Sequence, residues 1–285
     1  MKLKVRKEKL RGGAVYVLPN MITTGNLFFG FFSIVKGLQG HLLWSASAIL
    51  LAAIFDVLDG RVARLTGGTS EFGVQYDSLC DLVSFGLAPA FLMYNSGLSG
   101  FGRLGWIVCF VFLAGGALRL ARYNVQSSIG KASGDFTGLP IPMAAGVLAC
   151  FVAATVSIEN SEYNGTFLRL IGAWTSDPVH RGYLFVIAGP ALGLAMVSNI
   201  NYRSHKMLKI RGVNPFKLLV VAVALTGLVA IEPEIFGFLF FLCYALSGPV
   251  EWILGGKRAI EDDDIFAPDD DTHEDDLSSE EKGGG

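Results

Sequence analysis

Over 285 residues the chain is 52% hydrophobic and only 17% charged, and its apolar residues gather in long runs, a composition that excludes an ordinary water-soluble domain. The formal charge of −2 conceals a basic stretch over the first eleven residues and an acidic one after Ile260, so the mean says nothing about partners. An all-α, polytopic transmembrane helical bundle is predicted, because helices satisfy their own backbone polar groups in lipid. No nucleic-acid partner is expected.

Taken in order, residues 1–19 form a basic N-terminal segment. No small-residue cleavage site follows the first apolar run, so it reads as an anchor and not as a removed signal peptide. Eight spans are predicted: 20–38, 42–64, 74–96, 103–125, 141–158, 182–200, 214–231 and 234–254, each near the roughly 20 residues that a bilayer requires. Together they make a membrane domain over 20–254. Residues 255–285 carry ten Asp and Glu before Leu277 without apolar periodicity and are expected to be a disordered tail. Four cysteines, Cys80, Cys109, Cys150 and Cys243, sit singly in apolar segments, which suits packing and neither a zinc site nor a disulfide framework.

Lys and Arg set the orientation. With the N-terminus inside, 18 of them fall on the inner side and only Lys36, Arg103, Arg169 and Arg181 fall outside, with tail Lys282 left aside. Both termini are then cytoplasmic, and loop 159–181, with its Asn164-Gly165-Thr166 sequon, is external. The same topology gathers the end of the second span, the start of the third, the end of the fourth and the start of the fifth on the cytoplasmic side.

Those ends carry the informative residues. On a helix Asp56, Asp59, Gly60, Ala63 and Arg64 share one face, and Gly73, Asp77 and Asp81 share another at spacings of four. Leu65-Thr66-Gly67-Gly68-Thr69-Ser70 between them suits a turn that reverses the chain, so the two faces oppose each other. An aspartate at membrane depth costs roughly 2.5–3.5 kcal/mol, and four together need compensation. Hard divalent cations supply it, and two such ions about 3.5–4 Å apart clamp the attacking and leaving oxygens of a phosphoryl displacement.

Around this centre, Thr23 and Asn26 enter the first span one turn apart, placed to hydrogen-bond a nucleotide or a metal-ligating aspartate, or to serve polar packing between helices. Arg119 and Arg122 lie three residues apart at the end of the fourth span, followed by Asn124, and arginine forks match phosphates and carboxylates. Asp135–Pro142 is a Gly/Pro-punctuated entry to the fifth span, and Met196–Arg203 closes the sixth. Intramembrane carboxylates also occur in cation transporters, but transport sites tend to lie near the midplane on interrupted helices.

The pattern D-x2-D-G-x2-A-R-x8-G-x3-D-x3-D, filled here by Asp56, Asp59, Gly60, Ala63, Arg64, Gly73, Asp77 and Asp81, resembles the signature of the CDP-alcohol phosphatidyltransferase family. Within that family, Pro19–Phe29, Arg119–Asn124, Phe136–Pro142 and Met196–Arg203 look like the bacterial membrane-integrated phosphatidylserine synthases. The resemblance implies transfer of a phosphatidyl group from CDP-diacylglycerol to the hydroxyl of L-serine with release of CMP. Glycerol-phosphate, inositol-phosphate or choline are the alternative acceptors.

It further implies two Mg²⁺ or Mn²⁺ ions on Asp56, Asp59, Asp77 and Asp81, with Asp81 also the general base. Asn26, Asp59, Gly60, Ala63, Arg64 and Gly73 are the expected contacts of CDP-diacylglycerol, and Arg119 and Arg122 those of the serine carboxylate or the lipid phosphate. A homodimer in the inner membrane, with its active site facing the cytoplasm, completes the expectation.

Overall fold

The computed structural model describes residues 2–67, 70–128, 136–160, 174–202 and 232–255. Helix α1 (Lys2–Leu38) and helix α2 (Leu42–Thr66) form an antiparallel pair joined at Gly40, whose φ of 80° fits a residue without a Cβ. The first span, expected over about 20–38, agrees with the apolar run Val17–Leu38, and α1 extends it toward the N-terminus, running unbroken from Lys2 through Pro19. Lys, Arg, Leu and Glu before the proline are good helix formers, and extending an existing helix carries no new nucleation cost.

Helix α3 (Glu71–Asp81), a π-helical segment (Leu82–Leu87) and helix α4 (Ala88–Ser96) follow one another without a break, covering the expected span 74–96 as one helix with a widened turn. Ala88 N–H bonds to the carbonyl of Val83, and Pro89 next to it has no N–H to offer the preceding turn. A short 3₁₀ turn (Leu98–Phe101) then leads into α5 (Gly102–Ser128).

Helices α6 (Ile141–Asn160), α7 (Pro178–Val197) and α8 (Pro233–Gly255) complete the described bundle. Among the described residues six helices are long and apolar enough to cross a membrane, and the composite 71–96 helix adds a further run. The expected span 214–231 and the acidic tail lie outside the described residues.

Helix α6 is the centre of the bundle, with Ala144, Ala145, Leu148, Ala149, Val152 and Ala153 buried against its neighbours. Small side chains let helices approach closely where lipid supplies no hydrophobic drive for association. The crossing of α5 and α7 shows the same device, since a Cβ on Gly115 would stand 2.5 Å from the carbonyl oxygen of Gly193. Trp44, Phe110, Ile187 and Leu254 point outward, as the surface of a membrane protein requires. Cys80 and Cys150 are buried as expected of packing residues, Cys109 is half-buried, and Cys243 is exposed on α8.

The segments before α6 and after α7 meet. Strands β1 (Phe136–Thr137) and β2 (Asn201–Tyr202) pair antiparallel, Phe136 opposite Tyr202. Gly138, at φ 78°, donates its N–H to Ile200 O at 2.9 Å, and Leu139 N–H reaches Ala195 O at 3.0 Å. Tyr202 is fully buried against Tyr244 of α8, and its hydroxyl donates to Ala245 O at 3.2 Å. Burial, with Tyr244 beside it, pushes that phenol up to about 12, so it stays a donor at neutral pH.

Candidate active site

The aspartates are brought together by two helix ends. Helix α2 stops at Gly67, whose left-handed φ of 65° lets its N–H return to Ala63 O. Helix α3 starts at Ser70, whose hydroxyl accepts the N–H of Gly73 at 3.0 Å. The chain thereby reverses, and α3 lies against α1 with its carboxylates turned toward those of α2.

Asp56, Asp59 and Asp77 each present a carboxylate oxygen within 4.8 Å of the others. At that separation two full charges repel by about 3–4 kcal/mol at the effective dielectric of a protein site. Asp59 is only 5% exposed, and its Oδ2, like Asp77 Oδ1, is buried without a hydrogen-bond partner among the described residues. Three carboxylates, two of which carry a buried oxygen without a partner among the described residues, fit a divalent cation. Asp81 stands behind this trio, 9% exposed, with its Oδ1 accepting from Asn26 Nδ2 at 3.0 Å.

The small residues of the pattern divide into two kinds. A Cβ on Gly60 would meet nothing within 4 Å, so this position opens onto free space beside Asp59. A Cβ on Gly73 would stand 3.1 Å from Ser70 Oγ and 3.4 Å from Asn20 Oδ1, so that glycine serves the close approach of the capping turn to α1. Ala63 is half-buried, and Arg64 is exposed with its Nε donating to Gly60 O at 2.9 Å, which lays the guanidinium back over the open position.

The two arginines of α5 part company. Arg119 is 9% exposed, its Nε buried without a partner among the described residues, and Asp81, Tyr123 and Tyr244 are the groups within electrostatic reach. Arg122 turns instead to the end of α7, donating to Asn199 Oδ1 at 2.7 Å and to Val197 O at 3.4 Å.

For Asn26 the structure shows the hydrogen bond to an aspartate, with no exposed surface on the residue. Thr23 donates to Pro19 O at 3.1 Å and lies beside Asp59. Sequence reasoning passed over Ser78 and Gln75, which meet Asn124 of α5, and Tyr76, which meets Thr24 of α1 at 3.0 Å. They occupy the faces of α3 next to the aspartates, and their one signal is that a lipid-facing helix has little other use for such side chains.

Residues 16–176, which contain this whole carboxylate array, match the CDP-alcohol phosphatidyltransferase family. The chain belongs to that family.

Among its relatives, the CDP-diacylglycerol–serine O-phosphatidyltransferase of Helicobacter pylori is 33% identical over 239 residues, 84% of this chain and 92% of the relative. The protein of the same name from Methanocaldococcus jannaschii is 35% identical over 223 residues, 78% of this chain and 91% of the relative. An archaetidylserine synthase from Methanothermobacter thermautotrophicus is 41% identical over 136 residues, 47% and 57% of the two chains. CDP-alcohol phosphatidyltransferases depend on divalent metal, and the Asp56, Asp59 and Asp77 cluster is where this member has the donors for it.

Proposed function

We propose that this chain transfers the phosphatidyl group of CDP-diacylglycerol to the hydroxyl of L-serine and releases CMP. The carrying observation is the cluster of Asp56, Asp59 and Asp77, with its orphaned oxygens, beside a separately held Asp81 and a buried arginine. The names of the relatives support serine as the acceptor, since they share it while differing in the lipid.

Asp56, Asp59 and Asp77, with Asp81 at the edge, would hold Mg²⁺ or Mn²⁺, two ions in our reading, which supply charge stabilisation to the pyrophosphate. Gly60 leaves room for the nucleotide, and Arg64, above it, meets phosphate. Asp81 takes the proton of the serine hydroxyl as that oxygen bonds to the phosphatidyl phosphorus. The bond from phosphorus to the CMP oxygen breaks, and the electron pair leaves on CMP. Arg119 meets the serine carboxylate from the α5 side. The described contacts of Arg122 point to a supporting role at the end of α7.

We place the site on the cytoplasmic side of the inner membrane, with both termini cytoplasmic, on the strength of the 18-to-4 distribution of Lys and Arg. Residues 20–254 form the transferase domain, and the protein acts as a homodimer, as the resemblance implies. The test is CMP release by purified protein from CDP-diacylglycerol and Mg²⁺ or Mn²⁺ with each acceptor in turn. Serine is expected to support turnover. Release with glycerol-3-phosphate or inositol-phosphate but not serine overturns the acceptor and leaves the aspartate chemistry standing.

A further inference from the structure

Asn26 is buried completely, and the amide nitrogen of its side chain donates to Asp81 Oδ1 at 3.0 Å. Its backbone is pinned as well, because Ser84 of the π-helical segment donates its hydroxyl to Asn26 O at 3.0 Å. One turn further along α1, a Cβ on Gly30 would stand 2.7 Å from Ser84 Cα, so the two helices touch backbone to backbone at this point. The widened turn that begins right after Asp81 therefore grips the stretch of α1 that carries its hydrogen-bond donor.

We propose that Asn26 is a positioning residue for Asp81, fixing one carboxylate oxygen so that the other faces the acceptor hydroxyl, and that it acts through this carboxylate and not on CDP-diacylglycerol. The proposal rests on the reading that Asp81 takes the serine proton. A carboxylate free to rotate presents either oxygen at random, whereas one anchored through Oδ1 holds its plane. The Oδ1 of Asn26 is itself buried without a partner among the described residues. An apolar side chain of the same shape would avoid that orphan, so what the position provides is the N–H toward Asp81.

The test compares the purified full-length wild type with Asn26→Leu, which keeps the volume and removes the donor. Asn26→Leu is expected to lower kcat about ten- to hundredfold, the loss of one hydrogen bond to a charged group. The KM for CDP-diacylglycerol and the affinity for Mn²⁺, read by electron paramagnetic resonance of the free ion, are expected to stay within about twofold of wild type. Ser84→Ala, which frees the backbone of Asn26 without touching its amide, is expected to show a smaller fall of the same kind and decides the matter if Asn26→Leu does not fold.

A raised KM for CDP-diacylglycerol at unchanged kcat makes Asn26 a substrate contact and overturns the proposal. A loss of Mn²⁺ affinity in step with kcat makes it a support of the metal cluster and overturns it equally, as does wild-type kcat in the variants that fold. Failure of the underlying reading looks different: Asp81→Asn would then turn over serine at the wild-type rate, or lose turnover only in step with Mn²⁺ affinity, whatever the Asn26 variants do.

Discussion

Ser78 and Asn124, 46 residues apart in the chain, bond each other in both directions: Asn124 Nδ2 donates to Ser78 Oγ at 3.0 Å, and Ser78 Oγ donates to Asn124 Oδ1 at 3.2 Å. The same Asn124 amide reaches Gln75 Oε1 at 3.4 Å. Helix α3 carries Asp77 and Asp81, so this clasp to the end of α5 sets the rotation of the helix that supplies half of the carboxylates.

Asn124→Ala is accordingly expected to cost about 1–2 kcal/mol of stability, the worth of a hydrogen bond plus the partner left unsatisfied. Because the lost contact orients Asp77, the Mg²⁺ concentration for half-maximal activity should rise. Thermal unfolding in detergent and a Mg²⁺ titration measure the two. An unmoved titration midpoint would show that α3 holds its rotation without the clasp.

Asp77→Asn is expected to lower turnover at least about a hundredfold while the protein still inserts, since one carboxylate of three is lost from a cluster that gathers charge on developing phosphate oxygens. Glu71→Gln, on the exposed first turn of the same helix, serves as the control and should stay near wild type. Chelator should abolish CMP release by the wild type. Full activity in chelator would remove the metal from the mechanism.

Gly138→Ala tests the junction of β1 and β2 separately. The φ of 78° disfavours any side chain, and a Cβ there would run into the carbonyl oxygen of Met196. A loss of about 1–3 kcal/mol is expected from backbone strain, more if the pairing opens. Thermal unfolding reads it, and a wild-type midpoint would mean that this loop relaxes freely.

The aspartate array was legible because a helix forces its own geometry on spacings of three and four: once α2 and α3 were helices, Asp56, Asp59 and Asp77 had to face across the turn. Most of the long spans were legible for the same reason, their length being set by the bilayer. The π-helical turn at Leu82–Leu87 was not, since it depends on how Gly30 and Ser84 pack across two helices. The separate fates of Arg119 and Arg122 were hidden too: three residues on a helix leave about 60° between side chains, enough for one to face Asp81 and the other α7. The bond of Asn26 to Asp81 was one reading among several, because it depends on how α1 packs beside α3.

The orientation rests on charge and is tested by labelling. In a cysteine-free background Ser99→Cys, exposed on the short turn between α4 and α5, should react with a membrane-impermeant thiol reagent applied to intact cells. Glu71→Cys, exposed beside the aspartates, should not react. The reversed pattern would move the active site to the outer side.

In the proposed reading Arg119 holds the acceptor. A guanidinium that is 9% exposed, with its Nε lacking a partner among the described residues and Asp81 in electrostatic reach, is costly to keep unless an anion comes to it. On that reading serine would bring one, its carboxylate, with its hydroxyl toward the phosphorus beside Asp81. Arg119→Ala should therefore raise the KM for serine at least about tenfold and the KM for CDP-diacylglycerol far less, because the interaction belongs to one substrate. Arg119→Lys keeps the charge without the fork and should fall between the two. Arg122→Ala removes the tie to Asn199 and should lower the unfolding midpoint while leaving the serine KM near wild type. If Arg119→Ala raised both KM values equally, the side chain would be holding the phosphate region common to the two substrates, and the serine carboxylate would need another partner.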